Sequence, residues 1–97
     1  MDLQKPLQIP GKGEKFADLV ITVNKNDDNE CIYLIELKYL TKTATSAKGY
    51  KQNLEKLIND AAQQVSEYKT AIEFQNKNIK AYVMIFAGPE CVYCQMQ

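Results

Sequence analysis

The apolar residues of this chain change their spacing along the sequence, and this change limits the possible folds. Phe16–Val23, which is rich in β-branched residues, and Cys31–Leu40, which is mostly apolar, flank a polar loop, which predicts two strands in an antiparallel hairpin. From Tyr50 to Phe74 apolar residues recur every three or four positions, which predicts one amphipathic helix. Residues 79–87 again have a strand pattern. Because a helical crossover joins parallel strands, this order predicts an α/β fold with a mixed sheet.

The remaining segments are expected to extend this core within a single domain covering residues 1–97, since a chain of this length forms one small domain. We interpret residues 1–15 as an edge strand and turn, with the strand at Leu3–Ile9, and residues 41–49 as a connector of small residues. The hairpin would then occupy residues 16–40 and the helix residues 50–75. Cys31–Leu40 is apolar on both faces and is expected to be a central strand covered on both sides. Residues 88–97 form a C-terminal extension in which a turn at Gly88–Pro89 precedes a short last strand.

The composition excludes several kinds of chemistry. The chain contains no His, so it cannot build a Ser-His-Asp or Cys-His triad, a histidine general base or a Cys2His2 zinc site. Its 12 basic residues are all Lys, and 12 acidic residues bring the formal net charge to +0. This balance argues against nonspecific coating of nucleic acid but leaves room for a local basic patch. Catalysis would therefore use Asp, Glu, Lys, Tyr, Ser or Cys together with a metal ion.

The sequence predicts a cytoplasmic protein with reduced thiols. No apolar run approaches the roughly 20 residues of a membrane span, and the first residues lack the apolar core of a signal peptide. Three cysteines are a poor disulfide framework. Cys91 and Cys94 form a Cys-x-x-Cys pair, which supplies only two of the four ligands of a structural zinc site unless Cys31 lies near. Ordinary packing on a strand is favoured over a thiol-dependent metal or redox site.

Charged residues interrupt the apolar pattern of the hairpin at matched positions. Glu36 and Lys38 have the same parity, so their side chains share one face of the second strand. If Val23 pairs with Cys31, the antiparallel register places Asp18 opposite Glu36, with Cβ atoms roughly 5 Å apart. Carboxylates this close need a proton or a cation between them. A salt bridge or solvated strand ends would explain each residue alone, but the matched positions and apolar neighbours favour a functional site.

We expect this site to bind a divalent metal. Asp18, Glu36 and the backbone carbonyl of Leu37 would hold Mg²⁺, with Mn²⁺ as a substitute, because hard cations prefer such oxygen ligands. The ion would lower the pKa of a bound water and polarise a phosphate oxygen. Lys38 would orient the attacking water or stabilise negative charge in the transition state.

Two residues of the predicted helix are expected to reach the rim of the site. Gln64 and Tyr68 are four positions apart and are therefore neighbours on one face, at the edge of the apolar stripe. Taken separately, Gln64 is explained as an exposed helix residue and Tyr68 as a core residue.

Taken in order, these residues resemble the motifs of the PD-(D/E)xK nuclease superfamily. The similarity extends from about Phe16 to Tyr93, and the Gln-x-x-x-Tyr motif looks like that of the recombination-nuclease branch. The whole arrangement looks most like the nuclease-like domain at the C-terminus of bacterial AAA-ATPase-like proteins. The resemblance implies a restriction-endonuclease-like αβββαβ core and Mg²⁺-dependent phosphodiester hydrolysis, usually of DNA. It also implies that Asp18 and Glu36 are metal ligands, that Lys38 is the catalytic lysine, and that Gln64 and Tyr68 are accessory residues.

The chain departs from the family pattern at its start. About fifteen residues precede Asp18, too few for both the first helix of the family core and a first strand, and Ala17 replaces the motif's Pro. Two functions therefore stand open: a metal-dependent nuclease, alone or within a larger protein, or a catalytically silent nuclease-like fold that acts as a binding or assembly module. The expected partners are nucleic acid, a second copy of the chain, and an AAA-ATPase-like region in a longer parent protein, with no membrane.

Overall fold

The computed structural model describes residues 1–40 and 49–97. Five strands form one sheet, and their spatial order is their order in the chain: β1 (Asp2–Ile9), β2 (Gly13–Val23), β3 (Cys31–Leu40), β4 (Ile79–Ala87) and β5 (Glu90–Met96). Helix α1 (Tyr50–Tyr68) separates β3 from β4 in sequence, and these two strands are parallel, whereas the other neighbours are antiparallel. The predicted mixed sheet, with a hairpin followed by a helix and a parallel strand, is confirmed and is consistent with a restriction-endonuclease-like core. Except for Gly49, the predicted connector at 41–49 lies outside the described residues.

The hairpin has the register that the sequence predicts. Val23 lies opposite Cys31, and the pairing continues to Leu19 opposite Ile35. The edge strand before it is also present, because β1 pairs antiparallel with β2 along its length. The segment that is too short for a helix plus a strand is thus occupied by β1 and a turn at residues 10–12. The sequence pattern placed both strands but did not specify how β1 aligns with β2.

The core lies between α1 and one face of the sheet. Even-numbered residues of β3 are buried on this face, except for the half-buried Lys38, and so are alternate residues of β4, in the period of two that a strand imposes. The helix contributes Ala61, Val65 and Tyr68. Leu34, Val65 and several residues around them are fully excluded from solvent. This face therefore combines the apolar stripe of the helix with the alternating pattern of the strands.

The expectation that β3 is covered on both faces is wrong for the described part of the chain. On the face turned away from α1, residues 31, 33, 35 and 37 are only half-buried, and Tyr39 is 65% exposed. Two stacked aromatic pairs, Tyr33–Tyr82 and Tyr39–Phe86, lie on this outer face. Because α1 covers only the other face, the apolar residues here pack against one another within the sheet.

The helix ends earlier than its apolar period predicts. It stops at Tyr68, and Ala71 takes an extended conformation with φ −54° and ψ 144°. A short 3-10 helix at Ile72–Phe74 follows, in which Phe74 is buried and Ile72 is 57% exposed. After this change of direction Phe74 packs into the core. The last strand, β5, is confirmed and is longer than predicted, since it begins directly after the Gly88–Pro89 turn.

No helix in residues 1–40 or 49–97 has the length and apolar character needed to span a membrane.

Candidate active site

Asp18 and Glu36 lie together where the backbone pairing of β2 and β3 ends. The last paired residues are Leu19 and Ile35, and the carboxylates follow immediately on both strands. The Asp18 backbone N–H donates to Oε1 of Glu36 at 3.3 Å, and the Leu37 N–H donates to Oδ2 of Asp18 at 2.9 Å. In regular strand pairing these backbone N–H groups would donate to carbonyl oxygens of the neighbouring strand. Here they donate to carboxylate oxygens instead. The structure brings the two residues into contact, but Asp18 lies one residue beyond the last β2–β3 pair and is not paired directly with Glu36 as the predicted register requires.

Burial makes Glu36 the unusual member of this pair. It is 3% exposed and is the buried charged residue of the described core. Burial, followed by the negative charge of Asp18, raises the pKa of Glu36 to about 7, against the opposing effects of the Asp18 N–H and the Lys38 ammonium. Lys38 is half-buried on the same face of β3. The site therefore holds its second negative charge poorly unless a cation or a proton is present.

Tyr68 of α1 faces the carboxylates. Its side chain is buried, and burial raises the pKa of its hydroxyl, with further contributions from the charges of Glu36, Glu67 and Asp18. The phenol therefore stays protonated and can donate a hydrogen bond.

One helical turn earlier, Oε1 of Gln64 is buried and accepts no hydrogen bond from any described residue. Unsatisfied buried acceptors are rare, so a donor such as water or a protonated group is expected there.

A cleft of about 290 Å³ opens beside Asp18. Its walls come from β1, β2 and β3: Leu3, Gln4, Asp18, Leu37 and Tyr39. Because Leu37 and Tyr39 belong to the outer face of the sheet, Asp18 is reached from that side, whereas Glu36 is buried on the side of α1. Asp18 thus lines a solvent-accessible cleft, whereas Glu36 beside it is excluded from solvent.

Gln4 is a residue of this cleft that the sequence did not indicate. Its Nε2 donates to Oδ1 of Asp18 at 3.1 Å. The edge strand was predicted, but nothing in its composition specified which of its residues lies beside Asp18. Only the register of β1 against β2 identifies this neighbour.

The donor set suits a hard cation. Within residues 1–40 and 49–97, no group of three or more His, Cys, Asp or Glu side chains converges on one point, so a metal held here would have two carboxylates and backbone or water oxygens as ligands. Mg²⁺ usually keeps several waters and binds through one or two carboxylates. Asp18 and Glu36 fit this requirement.

The cysteines do not form a comparable site. Cys31 begins β3, whereas Cys94 is level with Met84, which lies beside Leu37. The six residue steps along β3 from Cys31 to Leu37 span about 20 Å, so Cys31 cannot join Cys94 as a ligand. Cys91 and Cys94 are exposed thiols, as expected for ordinary strand residues.

A family model described as the PD-(D/E)XK nuclease superfamily matches residues 11–96, which contain β2–β5 and every predicted site residue. The chain belongs to the PD-(D/E)xK nuclease superfamily. No curated protein and no solved structure gives a significant match. PD-(D/E)xK nucleases generally use divalent metals, which agrees with the oxygen donors found here.

The residues that resemble the PD-(D/E)xK motif lie at one end of the hairpin. Asp18 lies one residue beyond the last β2–β3 pair, and Glu36-Leu37-Lys38 occupies the facing part of β3. Ala17, where the motif has Pro, is fully buried and pairs with Lys5 of β1. A small apolar residue therefore fills this position without disturbing the carboxylates.

Proposed function

We propose that this chain hydrolyses phosphodiester bonds of nucleic acid, with DNA as the expected substrate and Mg²⁺ as the metal, for which Mn²⁺ can substitute. The observation that carries the proposal is the contact between Asp18 and the buried Glu36, with Lys38 on the same face as Glu36. Two acidic groups in contact, one of them with a pKa near 7, form a site that a divalent cation would stabilise.

Asp18, Glu36 and the carbonyl of Leu37 would hold this ion. The Leu37 N–H donates toward β2, and the N–H and C=O of a strand residue face the same neighbouring strand. This supports a carbonyl directed into the gap that follows the last β2–β3 pair. When bound, the metal lowers the pKa of a water and polarises a phosphate oxygen.

The other side chains would orient the reacting groups. The Lys38 ammonium, close enough to Glu36 to affect its pKa, stabilises negative charge that develops on the phosphate or orients the attacking water. The Tyr68 hydroxyl donates a hydrogen bond, and Oε1 of Gln64 accepts one from a water or a protonated group. Gln64 and Tyr68 would act as accessory groups, because they supply hydrogen bonds and do not belong to the carboxylate pair.

The test is cleavage of plasmid and single-stranded DNA in Mg²⁺ or Mn²⁺, and again after chelation. Asp18→Asn and Lys38→Ala are each expected to reduce the rate at least about 100-fold, since such groups act on the reacting charge. Asp28→Asn and Lys25→Ala are matched controls in the exposed loop between β2 and β3 and should cleave normally. Cleavage that survives Asp18→Asn would indicate a contaminant. No cleavage, together with no Mg²⁺-induced thermal shift, would contradict the proposal.

The second candidate function is assembly by a catalytically silent nuclease-like fold, and the outer face favours it. Where β2–β4 pair, the described side chains on this face are apolar or aromatic except for Lys80. A face with so few lysines is poorly suited to a phosphate backbone. Its residues are Leu19, Ile21, Val23, Cys31, Tyr33, Ile35, Leu37, Tyr39, Lys80, Tyr82, Met84 and Phe86.

A second copy of the chain is the occupant that we propose for this face. The three strands that form this face, about 4.8 Å apart and about 30 Å long, present roughly 430 Å², about half of the roughly 800 Å² per partner of a standard interface, so the second copy would also have to contact β1 or β5. Sedimentation at micromolar concentration should give a dimer, which Ile35→Lys should dissociate and Gln63→Lys, on the exposed side of α1, should not. A monomeric wild-type chain would exclude this assembly. The AAA-ATPase-like neighbour and the cytoplasmic location stay predictions.

A further inference from the structure

Gln4 adopts a backbone conformation that its residue type disfavours. Its φ is +52°, in the left-handed region. The other non-glycine residues with positive φ in the described chain, Asn24, Asn26 and Asn76, are all asparagines, which tolerate this region best. Gln4 is therefore the exception, and it lies within a strand and not in a turn. Conformational cost of this kind persists where the surrounding structure requires it, and functional sites are common among such places.

The register explains what this conformation achieves. The β1–β2 pairing includes Leu3 with Leu19 and Lys5 with Ala17, so Gln4 is level with Asp18. At this level the backbone pairing is interrupted, and the side chains meet instead, with Nε2 of Gln4 3.1 Å from Oδ1 of Asp18. Both side chains line the cleft of about 290 Å³.

We propose that Gln4 is a positioning residue for Asp18, an inference that rests on the proposed nuclease function. The Asp18 carboxylate has one donor for each oxygen, Gln4 on Oδ1 and the Leu37 N–H on Oδ2. Two donors on opposite oxygens set the plane of the carboxylate, which otherwise rotates broadly about its last torsion. Each oxygen keeps a further lone pair for a cation. Loss of such an outer partner usually lowers metal affinity or activity 10- to 100-fold.

Substitutions at Gln4 separate its side chain from its backbone. In Gln4→Gly the left-handed conformation costs less, so Tm should rise by about 4 °C or more, while Mg²⁺ affinity measured by calorimetry and the cleavage rate should each fall about 10- to 100-fold. Gln4→Asn tolerates the same φ but is one methylene shorter, so it should keep Tm near the wild-type value with the same loss of affinity. Gln8→Asn is the matched control on β1, where the amide donates to Glu14, and should change neither property.

The outcomes distinguish this proposal from the one on which it rests. Wild-type metal affinity and rate in both Gln4 variants, with Asp18→Asn inactive, would overturn the role of Gln4 and leave the nuclease function intact. A Gln4→Gly protein that loses both Tm and metal affinity would show a purely structural role and would also overturn it. A wild-type protein that neither binds Mg²⁺ nor cleaves DNA would overturn both proposals.

Discussion

The two ends of the β2–β3 hairpin use the same pair of strands in different ways. Near the loop, from Val23 opposite Cys31 to Leu19 opposite Ile35, the backbones pair, and the inward side chains are excluded from solvent. At the far end, Asp18 and Glu36 follow the last pair, and their carboxylates accept backbone N–H groups. The first end is stabilised by packing, whereas the second combines two negative charges, one of them buried.

This difference has a free-energy counterpart. One pKa unit corresponds to about 1.4 kcal/mol, so the shift of Glu36 from 4.5 to about 7 corresponds to about 3 kcal/mol. In the absence of a cation, the folded chain is destabilised by up to this amount when Glu36 is ionised. The packed end of the hairpin and the helix that covers it must offset this cost. Burial therefore stabilises the fold at the apolar end of the hairpin and destabilises it at the end that holds the ionised Glu36.

The largest expected effect lies at the packed end. Leu34→Ala removes a fully buried side chain opposite Val20 and should lower the free energy of unfolding by about 2–5 kcal/mol, measured by urea denaturation. Ile21→Ala, on the half-buried outer face of the same hairpin, is the control and should cost less than half as much. Equal losses at the two positions would contradict the assignment of the core to the α1 side.

Glu36→Gln should change how stability depends on pH. Because the pKa of Glu36 is higher in the folded chain than in the unfolded chain, the free energy of unfolding falls as pH rises from about 4.5 to about 7. The substitution should remove up to about 3 kcal/mol of this fall, measured by urea denaturation at pH 5 and pH 8 without metal. Glu55→Gln, on an exposed position of α1, should leave the pH dependence unchanged. An unaltered slope in Glu36→Gln would show that Glu36 titrates normally.

Added Mg²⁺ should offset the free-energy cost of the ionised Glu36 at the end of the hairpin away from the loop. At 100 times the dissociation constant, binding stabilises the fold by about 2.7 kcal/mol, seen as a rise in Tm. At one Mg²⁺ concentration the rise should be larger at pH 8 than at pH 6, because a protonated Glu36 must lose its proton to bind metal. The rise should be absent in Asp18→Asn. A shift of the same size at both pH values would argue against Glu36 as a ligand.

The smallest expected effect on stability is that of Asp18→Asn. The amide oxygen can still accept a hydrogen bond from the Leu37 N–H, so the free energy of unfolding should change by less than about 1 kcal/mol. Removal of the Asp18 charge should, however, lower the pKa of Glu36, which NMR of its side-chain carboxyl carbon can follow. An unchanged pKa would show that burial alone accounts for the shift.

Much of the core could be predicted because it depends on spacing within short segments. The alternation in β2 and β3, and the single loop between them, were enough to predict the hairpin, and the assumed pairing of Val23 with Cys31, which the structure has, brings Asp18 near Glu36. The end of the helix could not be predicted in this way, because its apolar period continues to Phe74 while the chain turns at Ala71 to pack that side chain. A repeating apolar pattern does not indicate the residue at which tertiary packing ends the helix.

The sequence by itself determined the order of strands and helix, the antiparallel hairpin, the presence of two carboxylates near its end and the superfamily. These follow from backbone periodicity and from residues that are near one another once adjacent strands pair. Only the tertiary structure decided that one face of the sheet is left without a helix among the described residues, that Glu36 is buried enough to hold a proton near pH 7, and that Gln4 holds Asp18. Burial and side-chain contacts depend on which distant segments meet, and no local spacing encodes that choice.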